Sequence, residues 1–511
     1  MDARYRLAIA FAAGSAVLAA CGTTVPMSSQ SAAADDAGTG GPGQSVSGSG
    51  TGGTTGSTSG STTGSAPESG TGQGGAGGGG QGMTGGATTG SVGGGGAGSS
   101  STGSATTGSR AVNVPGVTAT TINVGVYTAA GYSNAAKAAG FNVALGDMAA
   151  EAREVMDYIN AHGGVLGRKL VAVVHDANVA LAAQNPSAEY QAACADWTQD
   201  HHVYAVVSPI GASSNTLYDC LSKANVPTIN SGESTDASFF QRYPNYFYEP
   251  TDLNLRRVFS NQVDALKGAG FFGKAPKIGV LIADNPYEHA AVDNGLKPAL
   301  ARNGLTLADT FAVSNANNAS EYSSAVLKFR TEGITHVLFA FQGSPLQFMI
   351  AADNQGYYPR YGLHSRTSPA PVLQADASAR QQHGAMGIGW QPMNDVDGAH
   401  DPGILNARQK LCLDLVKKSG QDPSVRATAL IGLWLCDDIF FLHDALTRAG
   451  SFGIPAFRAG AESLTSYEAA STFRSGFAPG QLHDGAKQYR IFAYKDDCKC
   501  YEYVSPLRNA S

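Results

Sequence analysis

The chain has 511 residues, 42% apolar and 14% charged, with a formal net charge of −6. That balance supplies no basic footprint for nucleic acid, so none is expected as a partner. Setting aside a leader and a low-complexity stretch leaves about 400 residues, enough for two lobes of ordinary size.

In residues 1–20, Arg4 and Arg6 precede an apolar run that ends at Ala20. This is the order of an export signal, and the run is too short to remain as a membrane-spanning helix. Leu18-Ala19-Ala20-Cys21 resembles the lipobox of bacterial lipoproteins, in which the leader is cut before the cysteine and the thiol is lipidated. Two acyl chains on Cys21 would suffice as a lipid anchor. The expected location is extracytoplasmic and membrane-anchored, at the cell surface or in the periplasm; a plain secretory leader with a chance cysteine is the alternative. Residues 21–110 are Gly, Ser, Thr and Ala with almost no large apolar side chain. They cannot bury a core and are expected to form a disordered tether, spanning on the order of 50 Å as a flexible coil.

From residue 111 onward strands and helices alternate. Residues 121–126 read as a first strand. Val143, Met148, Ala152, Val155, Met156 and Ile159 recur at helical spacing, which predicts a helix over 143–162. Gly163 and Gly164 can close it in the left-handed conformation, Gly167 permits a second bend, and the apolar run 170–174 is a strand ended by His175 and Asp176. Helices over 188–200 and 216–224 alternate with strands over 203–207 and 226–229. After Tyr246-Phe247-Tyr248 the pattern restarts, with helices over 253–266, 290–303, 321–332 and 346–355 and strands over 277–283 and 336–341. A strand over 386–390, helices over 404–418 and 427–448, and a hairpin of 488–494 with 499–504 complete the chain.

Repeated β-α-β order implies parallel sheets covered on both faces. The expected fold class is α/β, two Rossmann-like lobes with parallel central sheets. Residues 111–250 would form the first lobe, 251–385 the second, 386–475 a return to the first, and 476–511 a hairpin crossing to the second. The cleft between lobes is the natural ligand site.

Six cysteines remain besides Cys21, an even number that points to disulfides in an exported chain. Proximity in sequence pairs Cys194 with Cys220, Cys412 with Cys436 and Cys498 with Cys500; other connectivities stay open, and the C-x-C bridge is the most strained. No C-x-x-C or flanking histidine pair accompanies them, so no metal site is expected.

Asn160, Gly163-Gly164-Val165-Leu166-Gly167-Arg168-Lys169-Leu170 and Asp176 resemble the helix-GG-x-x-G-[RK]-x-strand-D signature of type I periplasmic binding proteins. Within them, the resemblance is to the branched-chain amino-acid (Leu/Ile/Val) binding group of ABC-transporter receptors. Residues 208–214, Ser-Pro-Ile-Gly-Ala-Ser-Ser, resemble that group's loop after the third strand, and Val226-Pro227-Thr228 its fourth strand. Asp284-Asn285-Pro286-Tyr287 resembles its first second-lobe loop, and 343–356 the next loop and helix. The Cys194 to Cys220 spacing also resembles a disulfide of amino-acid-binding members. The likeness runs from 122 to 504 and is weakest between 395 and 488.

The resemblance implies a multi-crossover hinge, a small-molecule ligand held between the lobes, and a closed form presented to an ABC permease in the membrane. It implies a monomer with no catalytic residue and no cofactor. A ligand that touches both lobes favours closure, and its contacts are expected at the carboxyl ends of the strands. In the first lobe these are Tyr127, Ser213, Ser214, Ser231, Gly232 and Glu233; in the second they are Tyr287, Gln342, Ser365 and Arg366. Ser213 and Ser214 suit either a carboxylate cradle or a plain helix cap. Tyr287 either stacks on the ligand or lines the interlobe surface.

Amino-acid-binding members commonly carry an acid in the loop equivalent to His364-Ser365-Arg366-Thr367, to pair with the ligand ammonium. None stands here. Arg366 favours an anionic or carbonyl-bearing ligand, unless Asp284 or Glu233 replaces the missing charge. The ligand expected is therefore small and polar: amino-acid-like, an amide or a carboxylate. The chain lacks G-x-S-x-G, H-E-x-x-H and P-loop motifs in its folded part, and His201, His202, His364, His383 and His400 lack metal-ligand spacing. A surface receptor that senses ligand without transport is the main alternative, and a hydrolase a lesser one.

Overall fold

The computed structural model describes residues 114–131, 133–134, 144–210, 214–232, 235–314, 318–341, 344–370 and 378–511. The leader, Cys21, the 21–110 stretch, Ser213, Glu233 and Gln342 lie outside the described residues.

Five strands, β1 (Thr121–Thr128), β2 (Lys169–Asp176), β3 (Ala205–Ser208), β4 (Thr228–Asn230) and β5 (Phe247–Tyr248), pair in parallel in the order β2-β1-β3-β4-β5. Successive side chains of a strand face opposite ways. Ile122, Val124 and Val126 of β1 accordingly join one apolar cluster, with α1 (Met148–Ala161), while Tyr127 joins a second, with α2 (Pro186–Ala195) and α3 (Asn215–Lys223). Gly125 lets this second layer close on the strand, since a Cβ there would lie 2.9 Å from Trp197 Nε1.

The turn after α1 forms as its glycines imply. Gly163, Gly164 and Gly167 all have positive φ. Gly164 donates to Ile159 O at 2.9 Å, which caps the helix. Asn160 then reads the next strand like a backbone unit, accepting from Leu170 N at 2.7 Å and donating to Leu170 O at 2.9 Å.

The second sheet repeats the winding. After α4 (Leu255–Gly268) come β6 (Ile278–Ala283), α5 (Pro286–Ala291), β7 (Leu307–Val313), α6 (Ala319–Thr331), β8 (His336–Phe339), α7 (Ser344–Asn354), β9 (Arg360–His364) and β10 (Met386–Gly389). The five strands run parallel as β10-β9-β8-β6-β7. Three antiparallel strands extend it to eight, β11 (Gln488–Lys495), β12 (Cys500–Tyr503) and β13 (Arg508–Asn509).

Three sequence expectations need correcting. Strands β7 and β9 were not foreseen: β7 is an edge strand with mostly half-buried residues, so its alternation is weak, and β9 carries a central glycine. Gly362 stands there because a Cβ would meet Leu338 Cδ2 at 2.2 Å. The helix expected over 290–303 starts earlier, at Pro286, where Asn285 Oδ1 accepts from Tyr287 N and Glu288 N at 3.0 and 2.9 Å. Finally, β10 does not accompany the return to the first lobe. It pairs with β9 and β11 in the second sheet, where it offers the antiparallel strand an edge.

The return consists of α8 (Ala407–Lys418), α9 (Arg426–Ala449) and α10 (Ile454–Glu462), which pack with α1 on the first sheet. Although α9 is long and apolar, Asp437 and Asp438 interrupt it, and no helix among the described residues is long and apolar enough to cross a membrane. All three expected disulfides are present: Cys194 of α2 with Cys220 of α3, Cys412 of α8 with Cys436 of α9, and Cys498 with Cys500 at the β11–β12 turn. The chain thus crosses between the sheets three times, and the crossings bond to each other. Glu249 N donates to His483 O at 2.8 Å, Gly485 N to Glu249 O at 2.7 Å, and Thr472 Oγ1 to Trp390 O at 2.7 Å.

Candidate ligand site

Both sheets wind in the same sense, so both have a switch point, between β1 and β3 and between β6 and β8, where ligands of open α/β sheets settle at the carboxyl ends of strands. At the same carboxyl ends of the strands, residues just past β4 and β9 meet across the lobes. Arg366, just past β9, is 2% exposed. Its Nε donates to Asp252 Oδ1 at 2.7 Å, and its Nη2 bonds both Asp252 Oδ2 and the backbone oxygen of Ser231 beyond β4. The guanidinium carbon sits 4.6 Å from the centre of the Trp434 ring of α9. Asp252, on the first crossing between lobes, also accepts from Trp390 Nε1 at 3.2 Å and Gln391 Nε2 at 3.4 Å.

Burial pushes the Asp252 carboxyl up, while the Arg366 guanidinium and the Trp390 indole pull it down. A guanidinium cannot give up its proton in a protein, so a protonated Asp252 would leave a buried cation uncompensated; the pair is ionic. Asp438 differs. Burial pushes its carboxyl well above the ordinary range, the Ser231 hydroxyl opposes this at 2.5 Å, and neighbouring Asp437 adds to the rise. Burial and the neighbouring Asp437 thus both favour the neutral form of the Asp438 carboxyl. Asp437, raised to about 6 by burial, is tied down by Ala470 N at 2.6 Å and by Ser471 N and Oγ at 2.9 and 2.7 Å.

Four buried polar atoms of this group have no hydrogen-bond partner among the described residues: Arg366 Nη1, Trp434 Nε1, Asn230 Nδ2 and Asp438 Oδ2. Buried polar atoms are paired in nearly all native proteins. The first three are donors, so the surroundings suit a ligand that brings acceptors, such as a carboxylate or carbonyl group.

Of the residues nominated from sequence, Ser231 and Arg366 belong to this group. Ser365 lies beside it, with Oγ accepting from Trp390 N at 2.8 Å and Gln391 N at 3.3 Å. Gly232 is buried next to Ser231, its N–H bonded to Asn230 Oδ1 at 2.9 Å. Ser214 is the buried N-cap residue of α3, though its hydroxyl makes no capping bond. Tyr287 reaches from the second lobe to Asn215 Oδ1 and packs edge-on against Phe239 with ring centres 4.8 Å apart, so it joins the interlobe surface. Tyr127 stands apart in the first-lobe core, 6.1 Å from Trp197 and 6.0 Å from His175 between ring centres, with burial raising its hydroxyl. Asp252, Trp390, Trp434 and Asp438 escaped the sequence reading. Only Asp437-Asp438, two acids inside an apolar helix, left a signal in the sequence.

The chain resembles solved structures across nearly their whole length. A branched-chain amino-acid ABC transporter from Thermus thermophilus, with bound valine, superposes with a TM-score of 0.57 at 14% identity, over 77% of this chain and 98% of that one. A substrate-binding protein of an ABC transporter from Aeropyrum pernix gives 0.58 at 12% identity, over 77% and 96%. A solute-binding protein from R. palustris in complex with 4-hydroxybenzoate gives 0.56 at 14%, over 76% and 98%. These likenesses establish a shared fold. No curated protein matches the sequence. The sequence profile of the family described as periplasmic binding protein matches residues 140–499, and with two same-wound α/β lobes joined by three crossings the chain belongs to that family, with its type I fold.

Proposed function

We propose that this chain is the substrate-binding lipoprotein of an ABC importer, anchored through Cys21 outside the cytoplasm and acting as a monomer without catalysis. It takes a small polar ligand, amino-acid-like, an amide or a carboxylate, into the interlobe cleft and presents the closed form to a membrane permease. One observation carries the choice of ligand: Arg366 and Trp434, each with an unpartnered donor, stack on one another where Arg366 reaches across to Ser231 of the first lobe. The valine and 4-hydroxybenzoate bound by the neighbours from T. thermophilus and R. palustris each bring a carboxylate, which agrees with that chemistry. Ser213, Ser214, Glu233, Tyr287 and Gln342 complete the proposed lining, with Ser365 and Gly232 positioning it. Tyr127 would act only from beneath.

The test is a calorimetric and thermal-shift screen of amino acids, small carboxylates, amides and aromatic acids. The expected result is saturable binding of one ligand class with no product formed; conversion of the hit to product would overturn the non-catalytic reading. Trp434→Phe removes one unpartnered donor and keeps the ring under Arg366. It is expected to weaken binding about tenfold, the worth of a hydrogen bond to a charged group, and unchanged affinity removes Trp434 from the site. Arg366→Ala is a poor probe, because stranding Asp252 as a buried unpaired charge costs about 3–5 kcal/mol of folding stability.

A further inference from the structure

The β11–β12 turn gathers a second cluster, remote in sequence and separate from the cleft group. Cys500 and Glu502 stand two apart on one face of β12, and Cys498, in the turn just before it, is bonded to Cys500. His400, from the loop after β10, closes the set. Its Nε2 lies 3.1 Å from Glu502 Oε1 and 3.7 Å from Cys500 Sγ, and Glu502 Oε1 lies 3.9 and 4.0 Å from the two sulfurs. The four ligand atoms all fall within 4.8 Å of one another. Bonds of about 2.0–2.3 Å at tetrahedral angles give ligand-to-ligand edges of about 3.3–3.8 Å, close to the His400 and Glu502 separations, whereas the two sulfurs, bonded to each other, must part before both can bind a cation.

The loop is built to hold the imidazole. Asp397 Oδ1 accepts from His400 Nδ1 at 2.8 Å and from Ala399 N and His400 N at 2.9 and 3.1 Å. Held through Nδ1 by the Asp397 carboxylate, the imidazole has its Nε2 aimed at Cys500 and Glu502, the arrangement that carboxylate-histidine-metal sites use. The bridge itself is accessible: Cys498 is exposed, whereas Cys194, Cys412 and Cys436 of the other two bridges are fully buried. Attack by an external thiolate therefore falls first on the turn.

We propose that His400, Cys498, Cys500 and Glu502 form a redox-gated site for a thiophilic divalent cation of the zinc class. A dithiol reductant supplies two electrons and two protons, opens the Cys498–Cys500 bond to two thiols and leaves as its own disulfide. The cation then displaces both thiol protons to solvent and takes two thiolates, the His400 Nε2 and a Glu502 oxygen. Oxidation of the pair closes the site. Bound metal ties the loop after β10 to the carboxyl-terminal hairpin.

The experiment uses the full chain, reduced with a water-soluble phosphine, desalted under inert gas and titrated with Co2+ and Zn2+. Reduced protein is expected to take one Co2+ with thiolate-to-cobalt charge-transfer absorption, and unreduced protein none. The Cys498→Ser/Cys500→Ser double variant keeps both buried bridges and should lose that absorption. His400→Ala and Asp397→Asn should each weaken Zn2+ binding about 10–100-fold while leaving the ligand-binding screen unchanged. Absence of Co2+ uptake by the reduced chain, or absorption that persists in the double variant, overturns the site; unchanged Zn2+ affinity in His400→Ala overturns the four-ligand assignment.

Discussion

Glu151 shows what a single residue contributes when burial is not matched by bonding. It is 1% exposed in the first turn of α1, and neither carboxyl oxygen meets a hydrogen-bond partner among the described residues. The side chain is boxed in, since a Cβ on Gly146 would lie 2.9 Å from one oxygen and on Gly432 of α9 3.4 Å from the other. Burial, with Asp147 adding to it, raises its carboxyl from 4.5 to about 8. Between those values the folded chain holds a proton that the unfolded chain has lost. Stability therefore falls as pH rises through that window, by up to roughly 1.4 kcal/mol per pH unit, and levels off above it. Glu151→Gln should flatten this slope and leave the variant more stable than the parent at pH 8, read by urea denaturation at stepped pH. An equally steep profile in the variant would assign the slope to another group. At this scale the sequence was legible only in part. Arg366 could be placed at a strand end, but its partner Asp252 stands 114 positions away, and nothing local announces that pairing.

Elements were easier to read where glycine and periodicity agreed. The α1–β2 turn follows its sequence closely because three of its four positive-φ positions are glycines, Leu166 being the fourth, and Asn160 replaces a backbone partner. These glycines are not equivalent. A Cβ on Gly164 would lie 2.1 Å from Arg168 O, whereas Gly167 has open space around it. Gly167→Ala should cost about 1–2 kcal/mol, the strain of a left-handed residue. Gly164→Ala should cost more, because the backbone must also move. Comparison of the two midpoints in chemical denaturation checks the order; equal losses would mean that the turn relaxes freely. Strands without such punctuation were lost: β7 has half-buried faces that blur a period of two, and β9 owes its glycine to Leu338 on the neighbouring strand, which only the folded register brings near.

At the scale of the molecule, the repeat of β-α-β order after Tyr248 was enough to foresee two lobes, and the long apolar helix after 425 enough to foresee more packing on one of them. Sheet membership was not. That β10 stays in the second sheet depends on pairing with β9, a strand the apolar pattern hides. Likewise the metal-ligand set at the β11–β12 turn draws His400 from 100 residues away, so spacing rules had no purchase on it.

The three crossings also govern the order in which the chain can fold. Strands β1 to β5 are complete by Tyr248, yet α9, which shares one face of the sheet with α1 and packs over β3 and β4, ends only at Ala449. Until that helix arrives, the β3–β4 half of this face, Ile229 included, keeps its apolar side chains in water. A chain cut at residue 385 should therefore bind a hydrophobic dye and melt without a cooperative transition, while the full chain melts cooperatively; a sharp melt of the fragment would show that the lobe stands alone. For a protein read as exported, late completion is an advantage, since a segment that cannot close its core early stays threadable until nearly all of it has crossed.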